Sequence, residues 1–327
     1  MNTVSKLFCT MLLSASVASV FAEPQSYLAL DNGYRWDRLT NRATVGGPTL
    51  STRGASQQLK SIQSYQLGGR GQVAFDEHTF IRATGHYGWV FDGEYLESAY
   101  HGDLKGRTWD VSGAVGYYLT VYKKETKHEV EEQKEVVYSE KKEKRYEKDK
   151  HSAGFWIAPL VGWSYDVLNL TGTDLEMSFN GEEFEDLNHI NAKQTFNGPY
   201  AGFDFLFQLY PKLDFIFGYE FHYASWHGKR VIKGDDYGTP SIFGIVTGYS
   251  NTRHIRGVIG SVFKLNTSYN FWDMWKAGLE LQYKLYAGDH GCFKQTKTPI
   301  NPLVSYKKVD GLWWTSFGVT LYLGGVF

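Results

Sequence analysis

The sequence predicts an all-β fold: a transmembrane antiparallel β-barrel of about ten strands with short periplasmic turns and long outer loops. Three observations carry this. The 327 residues include 23 Tyr, 21 Phe and 10 Trp beside 35 Gly and only 8 Pro. Mean hydropathy is -0.37, and past residue 22 no run of about 18 apolar residues exists, which excludes membrane-spanning helices. Apolar and polar residues instead alternate over segments of about ten residues, the length that crosses a bilayer as a tilted strand. The net charge of -1 gives no basic field of the kind nucleic acid attracts.

Residues 1–22 read as a secretion signal: Lys6, a mostly apolar stretch from Leu7 to Phe21, then the small-residue cleavage pattern Val20-Phe21-Ala22. Residues 23–327 then form the barrel. After cleavage Cys292 is the remaining cysteine, so no internal disulfide is expected. At the other end Trp313, Thr315, Phe317, Val319, Leu321, Leu323 and Phe327 make one apolar face against Trp314, Ser316, Gly318, Thr320 and Tyr322. A last strand closing on Phe is the pattern of outer-membrane barrels.

Similar alternation marks segments at about 25–36, 62–75, 79–91, 108–121, 153–167, 198–210, 213–226, 255–271, 275–287 and 311–327. An even number lets an antiparallel barrel close with both termini on one side. Asp76-Glu77-His78, Pro211-Lys212 and Trp272-Asp273-Met274 are tight turns. Residues 37–61, 92–107, 168–197, 227–254 and 288–310 are polar, Gly-containing and expected to be long outer loops. The exception is 123–150, on the short-turn side, dense in Lys and Glu of interleaved sign. It reads as a solvated insertion or as a periplasmic contact with peptidoglycan or a partner.

Alternation also sorts the strand residues into faces. Phe215, Phe217, Tyr219, Phe221, Leu321, Leu323 and Phe327 are expected to face lipid. Arg70, Arg82, Arg256, Lys264 and Lys284 are expected to project inward, as are Asp110, Asp204, Asp214, Glu220 and Glu280, with His86 and His222 beside them. Charges in a narrow lumen must be paired or hydrated. They therefore form either an ion-paired interior or a pore lining of weak ion preference. The 123–150 segment has no metal-ligand or phosphate-loop spacing, and neither metal nor cofactor is expected.

Gln194-Thr195-Phe196-Asn197-Gly198-Pro199-Tyr200-Ala201-Gly202, Tyr223-Ala224-Ser225-Trp226 and Gly88-Trp89 resemble the omptins, ten-stranded outer-membrane proteases. Omptins cleave with an Asp pair and an Asp-x-His pair. At those spacings this chain has His101 and Asp103, then Lys233 and Asp235. The catalytic set does not match, and no catalytic residue is assigned. An enzyme would have to be assembled from Asp92, Glu94, His101, Asp103, His227 and Asp235. In size, signal, aromatic-rich strands and terminal Phe the whole chain resembles the Protochlamydia outer membrane proteins, a porin-like family. That resemblance implies passive diffusion of small hydrophilic solutes or ions across the outer membrane of a Gram-negative-type bacterium. The alternatives are a structural or adhesive barrel acting through loops 168–197 and 227–254, or an omptin-like protease. The partners implied are outer-membrane lipid, lipopolysaccharide and the barrel assembly machinery, without nucleic acid.

Overall fold

In the computed structural model the described residues are 25–44, 54–76, 78–97, 100–125, 152–179, 182–186, 189–210, 212–233, 249–271, 274–297 and 305–327. Residues 1–22, expected to be a secretion signal, and most of 123–150, expected to be a charged insertion, lie outside them. The described residues form thirteen strands. They are β1 (Tyr27–Thr44), β2 (Gly54–Ala74), β3 (Thr79–Glu97), β4 (Tyr100–Tyr117), β5 (Leu119–Glu125), β6 (Ser152–Phe179) and β7 (Glu182–Asp186). β8 (His189–Tyr210), β9 (Leu213–Lys233), β10 (Tyr249–Phe271), β11 (Trp275–Gly288), β12 (Gly291–Lys297) and β13 (Ser305–Val326) follow.

Ten of these make the wall, each antiparallel to its neighbours in the order β1-β2-β3-β4-β6-β8-β9-β10-β11-β13. The pairing of β1 with β13, from Tyr27 opposite Val326 to Thr44 opposite Lys308, closes the sheet. Closure leaves no edge whose N–H and C=O groups would sit unpaired in hydrocarbon. β5 resumes the line of β4 after Tyr118, so residues 123–125 are strand rather than insertion. β12 resumes the line of β11 after Asp289 and His290, and β7 pairs with the far end of β6.

The strands are longer than a bilayer needs: β9 has 21 residues and β6 has 28. At about 3.3 Å per residue and a tilt of about 45°, 21 residues climb about 50 Å, against about 30 Å of hydrocarbon. Most of the stretches expected as outer loops are therefore wall. Residues 37–44, 54–61, 92–97, 100–107, 168–179, 189–197, 227–233, 249–254, 291–297 and 305–310 all lie in strands.

The physical reason lies in an inversion of the alternation along the wall. Near the short-turn end, apolar side chains point outward: Leu30, Val161, Leu265 and Leu321 are each at least half exposed. An aromatic belt with Trp36, Trp89, Trp163, Tyr223 and Trp313 on its outer surface bounds this zone. Beyond the belt the pattern reverses. Leu168 and Leu170 are buried inside while Asn169 and Thr171 face out. The lower wall is solvated by lipid and the upper wall by water, so the apolar face changes sides. β-Bulges at Lys60/Gln63, Val90/Glu94 and Ile255/Val258 shift the register as strands leave the lower zone.

Glycine lets large rings lie flat against the inner wall. A Cβ on Gly260 would sit 2.4 Å from the Tyr286 ring, and one on Gly278 would sit 2.3 Å from that of Tyr322. At the short-turn end, Asp76 holds the β2–β3 turn by accepting from the backbone N–H groups of Thr79 (2.5 Å) and His78 (2.8 Å).

Candidate functional site

The lumen is the site that this wall encloses. In its lower half nearly every inward charge meets a partner on another strand. Arg70 Nε donates to Asp31 Oδ1 at 2.9 Å and its Nη1 to Glu280 Oε2 at 2.7 Å, with its guanidinium over the Tyr322 ring. Arg82 pairs with Asp204 and, at 2.9 Å, with Glu220, which also accepts from Lys264 Nζ at 2.6 Å. Arg35 reaches Asp37 at 2.9 Å and Asp110 at 3.2 Å. His86 lies between Asp31 and Asp110, 2.7 and 3.1 Å from them. Lys284 donates to Asp166 at 2.7 Å and Lys276 to Asp214 at 3.3 Å. His222 sits beside Glu220 and Ser164 with its ring stacked on Tyr200. Several of these pairs join walls that are not neighbours, β2 to β11, β3 to β8 and β6 to β11, and so cross the lumen. A cavity of about 120 Å³ is left among them. Ten strands enclose little more than side chains fill.

Above the charges lies a stack of three rings. Phe196 and Trp314 have centroids 4.2 Å apart, Trp314 and Tyr286 5.1 Å, and Phe196 and Tyr286 5.4 Å. Trp314 Nε1 donates to Asp37 Oδ1 at 3.0 Å, tying the stack to the ion network. Higher still the interior is an ordinary hydrophobic core. Leu39, Leu59, Ile62, Leu104, Leu168, Leu170, Ile190 and Trp226 are buried together there. Its polar members are hydrogen-bonded: Trp226 to Gln194 at 3.0 Å, Arg230 to Tyr95 at 2.5 Å, and Arg253 to Asn41 and Gln57. Among the described residues no group of three or more His, Cys, Asp and Glu side chains is arranged to hold a metal ion.

Of the side chains expected in the lumen, Arg70, Arg82, His86, Asp110, Asp204, Asp214, Glu220, His222, Lys264, Glu280 and Lys284 line the cavity. Arg256 does not. It is exposed on the outer face, because the bulge at Ile255/Val258 reverses the inward parity from even residues, such as Lys264, to odd ones, such as Arg253. Asp31, Arg35, Asp37, Asp166 and Lys276 were missed. The first three alternate with Leu30, Asn32, Tyr34 and Trp36 on β1, a signal present in the sequence. On the outer side, Phe217, Phe221, Leu321, Leu323 and Phe327 are exposed, and Phe215 and Tyr219 are partly so on the same face.

The hydrolase candidates are not assembled. Asp92, Glu94, Asp103 and His227 are exposed on the outer wall above the belt, where Asp92 accepts from Gln63 and Glu94 stands opposite Asp103. His101 is half-buried on β4, and Asp235 lies outside the described residues.

A closed antiparallel barrel with an apolar outer zone, an aromatic belt and a charged interior is an outer-membrane β-barrel protein. The profile of the Protochlamydia outer membrane protein family, Pom, matches residues 29–327, and the chain belongs to that family. It is accordingly a protein of the bacterial outer membrane. Among solved structures it is similar to the outer membrane protease OmpT from Escherichia coli, with a TM-score of 0.66 and 12% identity over 95% of this chain and 99% of that one. At that identity the likeness is one of fold. The translocator domain of the autotransporter NalP from Neisseria meningitidis aligns at a TM-score of 0.36 and 9% identity over 99% of this chain and 96% of that one, too weak a likeness to define a shared fold. The sequence matches no curated protein.

Proposed function

We propose that this chain is a sealed barrel, a structural surface protein whose tall wall lifts its outer connections clear of the membrane. The observation that supports this most is the filled lumen: ion pairs across the lower half, the Phe196–Trp314–Tyr286 stack at mid-height, and a hydrophobic core above it. An open pore lined by Leu39, Leu104 and Ile190 would expose to water the surface whose burial stabilises the upper wall. Passive diffusion is the second reading, favoured by the charged lining of the lower cavity. It requires the ring stack to move aside. Segment 126–151 leaves β5 and returns in β6 at the end that carries both chain termini, which supports a role for it on the periplasmic side. The test is conductance of the purified, refolded chain in a planar bilayer. A sealed barrel inserts without unitary current steps. Reproducible steps would establish the diffusion reading instead.

A further inference from the structure

The lower outer wall carries a side chain that contact with lipid does not explain. On β1 the outward residues below the belt include Leu28, Leu30, Asn32 and Tyr34. Asn32 is exposed, and among the described residues no hydrogen bond engages its amide. It stands four residues below Trp36 of the belt, about 13 Å along the strand, or about 9 Å of depth at a tilt of about 45°. Its lateral partners are Leu321 on β13 and Leu67 on β2, both exposed on the apolar face. Leu30, the next outward residue down the strand, is the most exposed large apolar side chain of the described residues. Two N–H donors and a carbonyl oxygen are thus presented to hydrocarbon, which can bond neither. By contrast the outward hydroxyl of Ser261 on β10 shares a hydrogen bond with Tyr219 at 3.3 Å. An amide left open at this depth is unfavourable, and a polar side chain held there marks a contact.

We propose that the β1 face binds a second copy of this chain, with the two Asn32 amides paired across a two-fold axis. Copies inserted in the same sense are related by an axis along the membrane normal, so a residue on that axis meets its own counterpart at its own depth. An amide is complementary to itself in partial charge: each donates one N–H to the other's carbonyl oxygen. Leu30, Leu67 and Leu321 form an apolar rim around the pair. Gly69, the lateral partner of Leu30, has no side chain to hold the two walls apart. The contact lies on the outside of the wall and is independent of whether the lumen conducts.

The test uses the expected mature chain, residues 23–327, refolded into lipid vesicles. Donor-labelled and acceptor-labelled molecules, each carrying its dye on the exposed Cys292, are mixed over a range of protein-to-lipid ratios. Energy transfer should rise with that ratio and saturate as for a dimer. Asn32→Leu should weaken association about tenfold, the loss of one polar contact between membrane segments. Its unfolding midpoint in dilute vesicles should not fall, since Leu suits a lipid-facing position, and this separates lost association from lost folding. In a Cys292→Ser background, Asn32→Cys should give a disulfide-linked dimer under mild oxidation, because residues on the axis bring their Cα atoms within about 7 Å. Leu265→Cys in the same background, exposed on β10, should not. A monomer at every ratio, or association unmoved by Asn32→Leu, would overturn the proposal. So would equal cross-linking at Leu265→Cys, which would reduce the contact to chance collision in a crowded bilayer.

Discussion

Arg82 is the residue on which the packed lumen can be tested most directly. It holds Asp204 and Glu220, which are 4% and 2% exposed. At an effective dielectric of about 20, unit charges 2.9 Å apart attract by about 6 kcal/mol, offset in large part by the desolvation of both ions. Arg82→Met keeps much of the volume and removes the cation. Glu220 retains Lys264, but Asp204 is left without an ion pair among the described residues. Stranding a buried charge in this way should cost about 3–5 kcal/mol. Arg82→Met with Asp204→Leu should recover about 2 kcal/mol or more of that, because the second change removes the orphaned carboxylate. The assay is urea unfolding in lipid vesicles followed by tryptophan fluorescence. If Arg82→Met costs under about 1 kcal/mol, water solvates Asp204 as it would in an open channel, and the reasoning that treats the lumen as packed fails.

Three further outcomes are expected. Glu220→Gln with Glu280→Gln should lower the unfolding midpoint, since these acids hold Arg70, Arg82 and Lys264, and on the sealed-barrel reading it should open no bilayer conductance; a stable variant would refute this. Phe217→Arg should cost about 2–4 kcal/mol in vesicles if it lies near the midplane, and an unchanged folding yield would count against its outward assignment. The backbone N–H groups of Thr79 and His78 hold the Asp76 carboxyl below its ordinary value of 3.8, so its contribution is complete above that pH and is lost as pH falls through the lower native value. Asp76→Ala should therefore be destabilised at neutral pH, with the gap to the parent narrowing in strong acid; a gap independent of pH would place the effect elsewhere.

The barrel was legible in the sequence because lipid imposes a period of two on whatever crosses it. Phe215 to Tyr223 and Trp313 to Phe327 could be assigned to faces from alternation alone, and so could most of the inward charges. The same logic misread the wall above the aromatic belt. There the environment outside is water, the polar face turns outward, and a strand such as Lys193 to Asn197 resembles a loop when apolar-outward strands are sought. Arg256 failed for a related reason: a bulge is one extra residue, local composition does not announce it, and it flips every side chain beyond it. What residues alone determined was the class of solvent on each face of the lower wall. Whether the inward charges border a passage or close on one another was decided only in three dimensions. The partner of Arg70 is Glu280, 210 positions away, and the ring against Phe196 is Trp314. Such contacts across the lumen depend on shear, tilt and closure of the whole sheet, which no single strand encodes.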